Sequence, residues 1–110
     1  MTLPHPLPDE LADLIAARFK LLAEPTRIKI LDHLRDGEAS VQELAAAVGT
    51  TQQNISKHLR ALAANGVVGR RKHGNYAYYR VIDDSIWQLC HDVCGGVERH
   101  LDELRSLIVS

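Results

Sequence analysis

The first 65 residues contain stretches in which apolar residues recur every three or four positions, separated by short polar segments. The apolar positions of the first stretch are Leu11, Leu14, Ile15, Phe19 and Leu22. Their spacing predicts a helix over residues 9–23. Pro25 suits the first turn of a second helix, where its missing N–H costs nothing, and Gly37 is the predicted end. The predicted buried side chains of this second helix are Ile28, Leu31 and Leu34.

Two more helices follow at close spacing. The residue pairs with the spacing of a capping box are Ser40 with Glu43 and Thr50 with Gln53. The first pair predicts a helix that begins at Val41 and ends at Gly49, in the left-handed conformation that glycine tolerates. The second pair predicts a helix that opens a residue or two after Thr50 and runs to about Asn65. So tight a turn prevents antiparallel packing, so residues 41–65 are expected to form a helix-turn-helix.

After Gly66 the hydrophobic period changes from helical to alternating. The β-rich runs 67–72 and 76–82 are joined by His73-Gly74-Asn75, which predicts a hairpin. Apolar residues return to helical spacing over 84–108. The predicted fold class is therefore mainly α with a small β-hairpin, a winged helix-turn-helix in the order α-α-α-α-β-β-α.

The domain organisation follows from these elements. A winged helix-turn-helix domain is expected over 9–110, with its wing at 67–82, after a flexible proline-rich tail at 1–8. Neither an N-terminal signal peptide nor an apolar run of about 18 residues is present, so a cytoplasmic protein without a membrane partner is expected. Two cysteines are too few for a disulfide framework and should stay reduced there.

Charge is strongly sorted along the chain, although the formal net charge is only −1. Residues 1–50 sum to −3 and residues 81–110 to −4. Residues 51–80 contain six Lys and Arg and no Asp or Glu. A block of this kind is typical of a surface that faces phosphates, so double-stranded DNA is the predicted partner.

The predicted fourth helix places amide, hydroxyl and cationic side chains opposite its apolar stripe of Ile55, Leu59 and Leu62. Such groups read base edges, whereas the cations of the hairpin suit phosphates or an adjoining minor groove. Two residues of this helix have an ambiguous role in DNA binding, because His58 lies beside Leu62 and Gln53 has a predicted capping role. The predicted DNA-binding residues are Gln52, Gln53, Asn54, Ser56, Lys57, His58, Arg60, Arg70, Arg71, Lys72 and His73.

Several motifs occur in an order that resembles the ArsR/SmtB family of winged-helix repressors, over residues 11–108. They are EPTRIKIL at 24–31, NISKHLRAL at 54–62, Gly66-Val67-Val68, Arg70-Arg71, Gly74 and Tyr78-Tyr79-Arg80. The resemblance implies a homodimer that is joined through its first and last helices. It also implies a palindromic operator, from which a metal ion or a thiol-reactive inducer releases the repressor.

The last predicted helix carries a continuous apolar stripe, as expected for a helix that packs along a partner helix. The dimerisation helices are then 9–23 and 84–108, and a bend at Gly95-Gly96 is an open question. The predicted interface residues are Leu11, Leu14, Ile15, Ile86, Val93, Val97, Leu101, Leu104 and Ile108.

Cys90 and Cys94 lie one turn apart in this stripe, with His91 beside them. They are either small buried hydrophobes or a thiol sensor that takes a thiophilic metal ion or an oxidant. The zinc pattern of the family's last helix is only half matched, by His100 and Glu103, and half a tetrahedral site does not hold zinc.

Three other functions compete with that of a DNA-binding repressor that senses an inducer. A regulator whose cysteines are purely structural fits the same motifs, and a winged-helix module can also bind protein or RNA. An enzyme would need Cys94 as nucleophile and His91 as base, but no third group is available to orient them. The chain is therefore not expected to be an enzyme, and no cofactor is certain.

Overall fold

The computed structural model describes residues 3–109 and follows the predicted order of elements, with one strand added. The helices are α1 (Asp9–Leu22), α2 (Pro25–His33), α3 (Val41–Val48), α4 (Gln52–Ala64) and α5 (Ser85–Val109), with a 3-10 turn at Leu34–Asp36. The strands are β1 (Ala39–Ser40), β2 (Val68–His73) and β3 (Tyr76–Val81). Met1 and Thr2 of the predicted tail, and Ser110 of the predicted domain, lie outside the described residues.

The three strands form one antiparallel sheet in the order β1-β3-β2. The hairpin of β2 and β3 is the wing, and its end pair His73 and Tyr76 leaves a two-residue turn. Gly74 opens this turn with φ of +61°, the position at which a tight hairpin turn favours glycine. The unpredicted strand β1 pairs Ser40 with Tyr78, so the wing is tied to the segment that leads into α3.

Both ends of α3 agree with the sequence prediction, but the start of α4 does not. Ser40 and Glu43 form the capping box, and Gly49 is left-handed with φ of +83°. The cap of α4 is Thr51, whose hydroxyl accepts a hydrogen bond from the Asn54 backbone N–H at 3.1 Å. The predicted pair of Thr50 with Gln53 is therefore wrong by one residue.

A single apolar core lies between the helices and the inner face of the sheet. Its fully buried members include Ile30, Leu31, Leu44, Ile55, Leu59, Leu62, Val67 and Val68. The predicted burial of Ile28 is wrong, because this side chain is 49% exposed and Ile30 fills the core instead. The face of α2 that packs inward is thus rotated from the predicted one.

Helix α5 leaves this core after its first turns. Ile86 is 2% exposed and packs within its own protomer, so its predicted place in a dimer interface is wrong. The helix then continues without interruption through Gly95 and Gly96 to Val109. The radius of gyration is 17.0 Å, against about 13 Å for a compact chain of this length. Among the described residues, no helix has the length and apolarity that a bilayer crossing requires.

Candidate nucleic-acid interface

Helix α4 presents a polar face on the side opposite its buried stripe. Gln52, Gln53, Lys57 and Arg60 are all exposed, and Ser56 is half-buried. Ile55, Leu59 and Leu62 are fully buried and fix the rotation of the helix. The exposed set contains amide donors and acceptors together with two cations, which is the chemistry that reads base edges in a major groove.

Asn54 lies at the N-terminal end of this face and is engaged locally. Its side-chain amide donates to the Thr50 hydroxyl at 3.2 Å, while its backbone N–H donates to the Thr51 cap. Among the described residues no donor reaches the amide oxygen, which can accept a hydrogen bond from outside. Asn54 therefore stiffens the turn between α3 and α4 and offers at most part of its side chain to DNA.

His58 does not belong to this face, which corrects its predicted role as a DNA contact. The residue is 4% exposed. The Arg27 Nε–H donates to His58 Nδ1 at 3.0 Å, and the same guanidinium donates through Nη1 to the Leu21 carbonyl at 2.8 Å. His58 therefore joins α4 to α2 and to the end of α1, and it is not available to a base edge.

The surroundings of His58 favour its neutral form. Burial lowers the pKa of His58, and the neighbouring Arg27 charge lowers it further. Glu24 acts in the opposite direction, with its carboxylate 3.9 Å from Nδ1. Since Nδ1 accepts the hydrogen bond from Arg27, the neutral ring carries its proton on Nε2.

The cations of the wing are divided between the two faces of the sheet. Arg70 pairs with Tyr79 and Lys72 with Ala77, on the face that carries the buried Tyr79. The other two lie on the opposite face, since Arg71 pairs with Tyr78 and His73 with Tyr76. All four side chains are exposed, so the wing can offer positive charge in two directions but not as one row.

Arg71 has partners within the protein. Its Nε–H donates to Glu38 Oε2 at 3.1 Å and its Nη2 to Glu38 Oε1, while its Cζ lies 5.3 Å from the centroid of the Tyr78 ring. The hydrogen bond from Arg71 lowers the pKa of Glu38, and the nearby Arg80 and His73 charges add to this effect. The carboxylate is thus ionised and lies beside the cations of the wing.

The two cysteines differ in environment. Cys90 is half-buried, and this burial raises the pKa of its thiol. Cys94 is exposed, with its sulfur 3.9 Å from Glu98 Oε1. Both cysteines and His91 line a groove of about 540 Å³ between α2 and α5, where Arg35 and Trp87 complete the wall. Within residues 3–109 no cluster of three or more metal-ligating side chains is formed.

Two contacts that the sequence did not predict join distant segments of the chain. Arg27 and His58 are 31 residues apart, and Glu38 and Arg71 are 33 residues apart. The charge count over 51–80 gave no sign of Glu38, because folding brings this carboxylate to the wing from an acidic segment. Only for His58 was there a hint in the sequence, because this residue lies beside Leu62 at the edge of the apolar stripe of α4.

A family model described as a helix-turn-helix domain matches residues 22–71. The HTH-type transcriptional repressor SmtB of Mycobacterium tuberculosis is 35% identical over 91 residues, which cover 83% of this chain and 67% of SmtB. The chain belongs to the ArsR/SmtB family. This ArsR/SmtB protein is a DNA-binding transcriptional regulator and not an enzyme, as predicted.

Two solved structures agree with this assignment. Mb0332 from Mycobacterium bovis is described as the homodimeric winged helix-turn-helix DNA-binding domain of a possible ArsR-family regulator. It superposes with a TM-score of 0.76 at 32% identity, covering 91% of this chain and 95% of that one. The AntR antimony-specific transcriptional repressor gives a TM-score of 0.80 at 29% identity, covering 90% of each chain. The predicted fold class of the ArsR/SmtB chain is thereby confirmed.

Proposed function

We propose that the protein is a homodimeric repressor that binds a palindromic operator and leaves it when its cysteines react. The observation that carries this proposal is the exposed face of α4, where amides and cations lie together without a carboxylate. Lys57 and Arg60 are assigned to base edges, with Gln52, Gln53 and Ser56 beside them. Arg70, Lys72 and His73 of the wing, together with Arg71, are assigned to phosphates.

Binding to DNA is tested by fluorescence anisotropy, with the promoter of the protein's own gene and a scrambled duplex. Lys57→Ala and Arg60→Ala should reduce the preference for the promoter, because they remove base contacts. Arg70→Ala should lower the affinity for both duplexes equally. Lys20→Ala on α1, which removes one positive charge outside the wing, is the control and should lower the affinity less. The salt dependence of a dimer that contacts three or four phosphates per subunit should have a log–log slope of roughly −5 to −7. Equal affinity of the wild type for both duplexes would contradict sequence-specific binding.

Dimerisation is supported by an apolar stripe that α5 leaves uncovered. Its exposed members within the described residues are Val93, Val97, Leu101, Leu104 and Ile108. Leu14 on α1 is 69% exposed as well, and Leu11 and Ile15 are half-buried. Exposed apolar area of this extent is typical of an interface, and the homodimeric Mb0332 supports a second copy as the partner.

Sedimentation velocity measures the oligomeric state directly. Leu101→Asp places a charge in the stripe and should convert the dimer to a monomer, because an unpaired carboxylate in an apolar interface is costly. Ser106→Asp adds the same charge on the opposite side of α5 and should leave the dimer intact. A dimer that survives Leu101→Asp would exclude this stripe as the interface.

Release by an inducer is assigned to Cys94 and Cys90, with His91 as a third ligand if the inducer is a metal ion. Cys94 is the more accessible thiol, and the raised pKa of Cys90 makes that thiol the less reactive one. Metal binding within one subunit would need additional ligands, and a soft ion can take them from the partner subunit. AntR, which is named as antimony-specific, supports a thiophilic inducer in a protein of this fold.

The sensing step is tested by titrating the reduced protein on promoter DNA with zinc, arsenite, peroxide and a persulfide. One of these should lower the affinity of the wild type, and Cys94→Ser should abolish the response. Cys90→Ser should weaken the response to a metal more than the response to an oxidant. If no treatment changes the affinity, the cysteines are structural.

A further inference from the structure

The fold places one carboxylate within the cationic surface of the wing. Glu38 follows the turn at Gly37 and precedes β1, which pairs with β3 at the centre of the sheet. Glu38 therefore reaches the outer face of β3, where Arg71 and Tyr78 form a cross-strand pair. This arrangement brings an acidic side chain from outside residues 51–80 to the block that is otherwise free of acidic residues.

We infer that Glu38 limits the affinity of the wing for DNA by competing with phosphate for the Arg71 guanidinium. Two parallel hydrogen bonds join the groups, the geometry in which arginine holds a carboxylate or a phosphate most firmly. The rest of the guanidinium stays accessible, because the Arg71 side chain is 45% exposed. An approaching phosphate thus meets a guanidinium whose charge is already neutralised, and the adjacent carboxylate repels it.

The surroundings of the pair support competition for the phosphate site. Glu38 also experiences the positive charges of Arg80 and His73, which lie on the same face of the wing as Arg71. Its carboxylate therefore reduces the positive potential of this whole face. Within residues 3–109, the cations of the other face, Arg70 and Lys72, form no ion pair with a carboxylate. The two faces of the wing are thus unequal in their expected contribution to phosphate binding.

The inference is tested with Glu38→Gln, which keeps the size and a hydrogen-bond acceptor but removes the charge. Affinity for a fluorescent random-sequence duplex is measured by anisotropy at several salt concentrations, since phosphate contacts are independent of sequence. The matched control is Asp36→Asn, which removes the same charge two residues away without touching Arg71. Glu38→Gln should tighten binding by roughly two- to five-fold per subunit, the range typical of an exposed ion pair. The magnitude of the log–log salt slope should also rise, by up to about 0.9 per subunit.

Two further variants separate this inference from the assignment of Arg71 to phosphate, on which it rests. Arg71→Gln alone should weaken binding, and in that background Glu38→Gln should tighten binding less than it does in the wild type, because only the weaker effect of the carboxylate on Arg80 and His73 remains. If Arg71→Gln has no effect, the phosphate contact fails and the inference fails with it. If Arg71→Gln weakens binding but Glu38→Gln does not exceed its control, Arg71 binds DNA and only the inference is overturned. Weaker binding by Glu38→Gln would also overturn it, because Glu38 would then position Arg71 for DNA.

Discussion

The contact between Arg27 and His58 gives a stability prediction whose size and pH dependence both follow from the structure. Arg27→Met keeps a long side chain but removes the hydrogen bonds to His58 Nδ1 and to the Leu21 carbonyl. Loss of one hydrogen bond donated by a charged group costs about 1.5–3 kcal/mol, and the two bonds here share a single half-buried guanidinium, so their costs do not add in full. We therefore expect the free energy of unfolding to fall by about 2–4 kcal/mol at about pH 8.

The pH dependence of the same variant supplies a second readout. The pKa of His58 is lower in the folded protein than in the unfolded chain, so the unfolded chain binds more protons near the ordinary pKa of about 6.5. The stability due to neutral His58 is fully present above about pH 6.5 and is lost as the pH falls through the folded pKa. In Arg27→Met the remaining charges that act on His58 are Glu24, which favours the protonated ring, and Lys57, which opposes it more weakly. The loss of stability on acidification should therefore be smaller than in the wild type.

Urea unfolding followed by far-ultraviolet circular dichroism measures both quantities, at about pH 8 and at about pH 5.5. Protein concentration is held fixed, because dimerisation contributes to the apparent stability. Lys29→Met on the exposed side of α2 is the control and should stay within about 0.5 kcal/mol of the wild type. An Arg27→Met protein as stable as this control, or equally sensitive to acid as the wild type, would refute the role given to the contact.

Three further predictions concern the core side of α4 and the two ends of α3, which position the DNA-binding surface. Leu59→Ala empties a fully buried position of α4 and should cost about 2–5 kcal/mol in urea unfolding, whereas Leu104→Ala should leave the fold of the protomer unchanged. Ser40→Ala removes the cap of α3 and should cost about 1 kcal/mol by the same assay, and Ser40→Asp should restore most of it. Gly49→Ala forces a side chain into a left-handed position and should cost about 1–2 kcal/mol in thermal unfolding; no loss would show that the turn rearranges.

The helices were predictable because their signals are local. The capping box at Ser40 and the left-handed Gly49 involve residues close together in the chain, and the structure has both. The strand β1 gave no such signal, because two residues show no alternation and pair only with the distant β3. The core face of α2 was misassigned at Ile28 for a related reason, since the packing partners of a short helix decide its rotation.

The candidate site was predictable to the extent that it depends on a single helix face. The helical spacing of α4 correctly predicted that Lys57 and Arg60 are exposed. It left the role of His58 open, which only the contact with Arg27 decides. Likewise, Ile86 belongs to the same stripe as Val97, but only the fold shows that the stripe passes from the core of the protomer to an uncovered surface. Contacts between segments more than 30 residues apart are set by the tertiary structure.

The exposed end of α5, residues 97–108, affects how the proposed dimer assembles. Residues 97–108 have little packing within their own subunit, so without a partner this end of α5 is held only by propagation of the helix and frays more easily than a packed helix. Pairing therefore has to order the end of the helix as well as bring two chains together, which reduces the net gain from association. If Cys94 is the sensor proposed above, a chemical change there, three residues before this segment, would act on the same association equilibrium. At low copy number, occupancy of a two-fold operator would rise with the square of the chain concentration, which gives repression a sharp threshold.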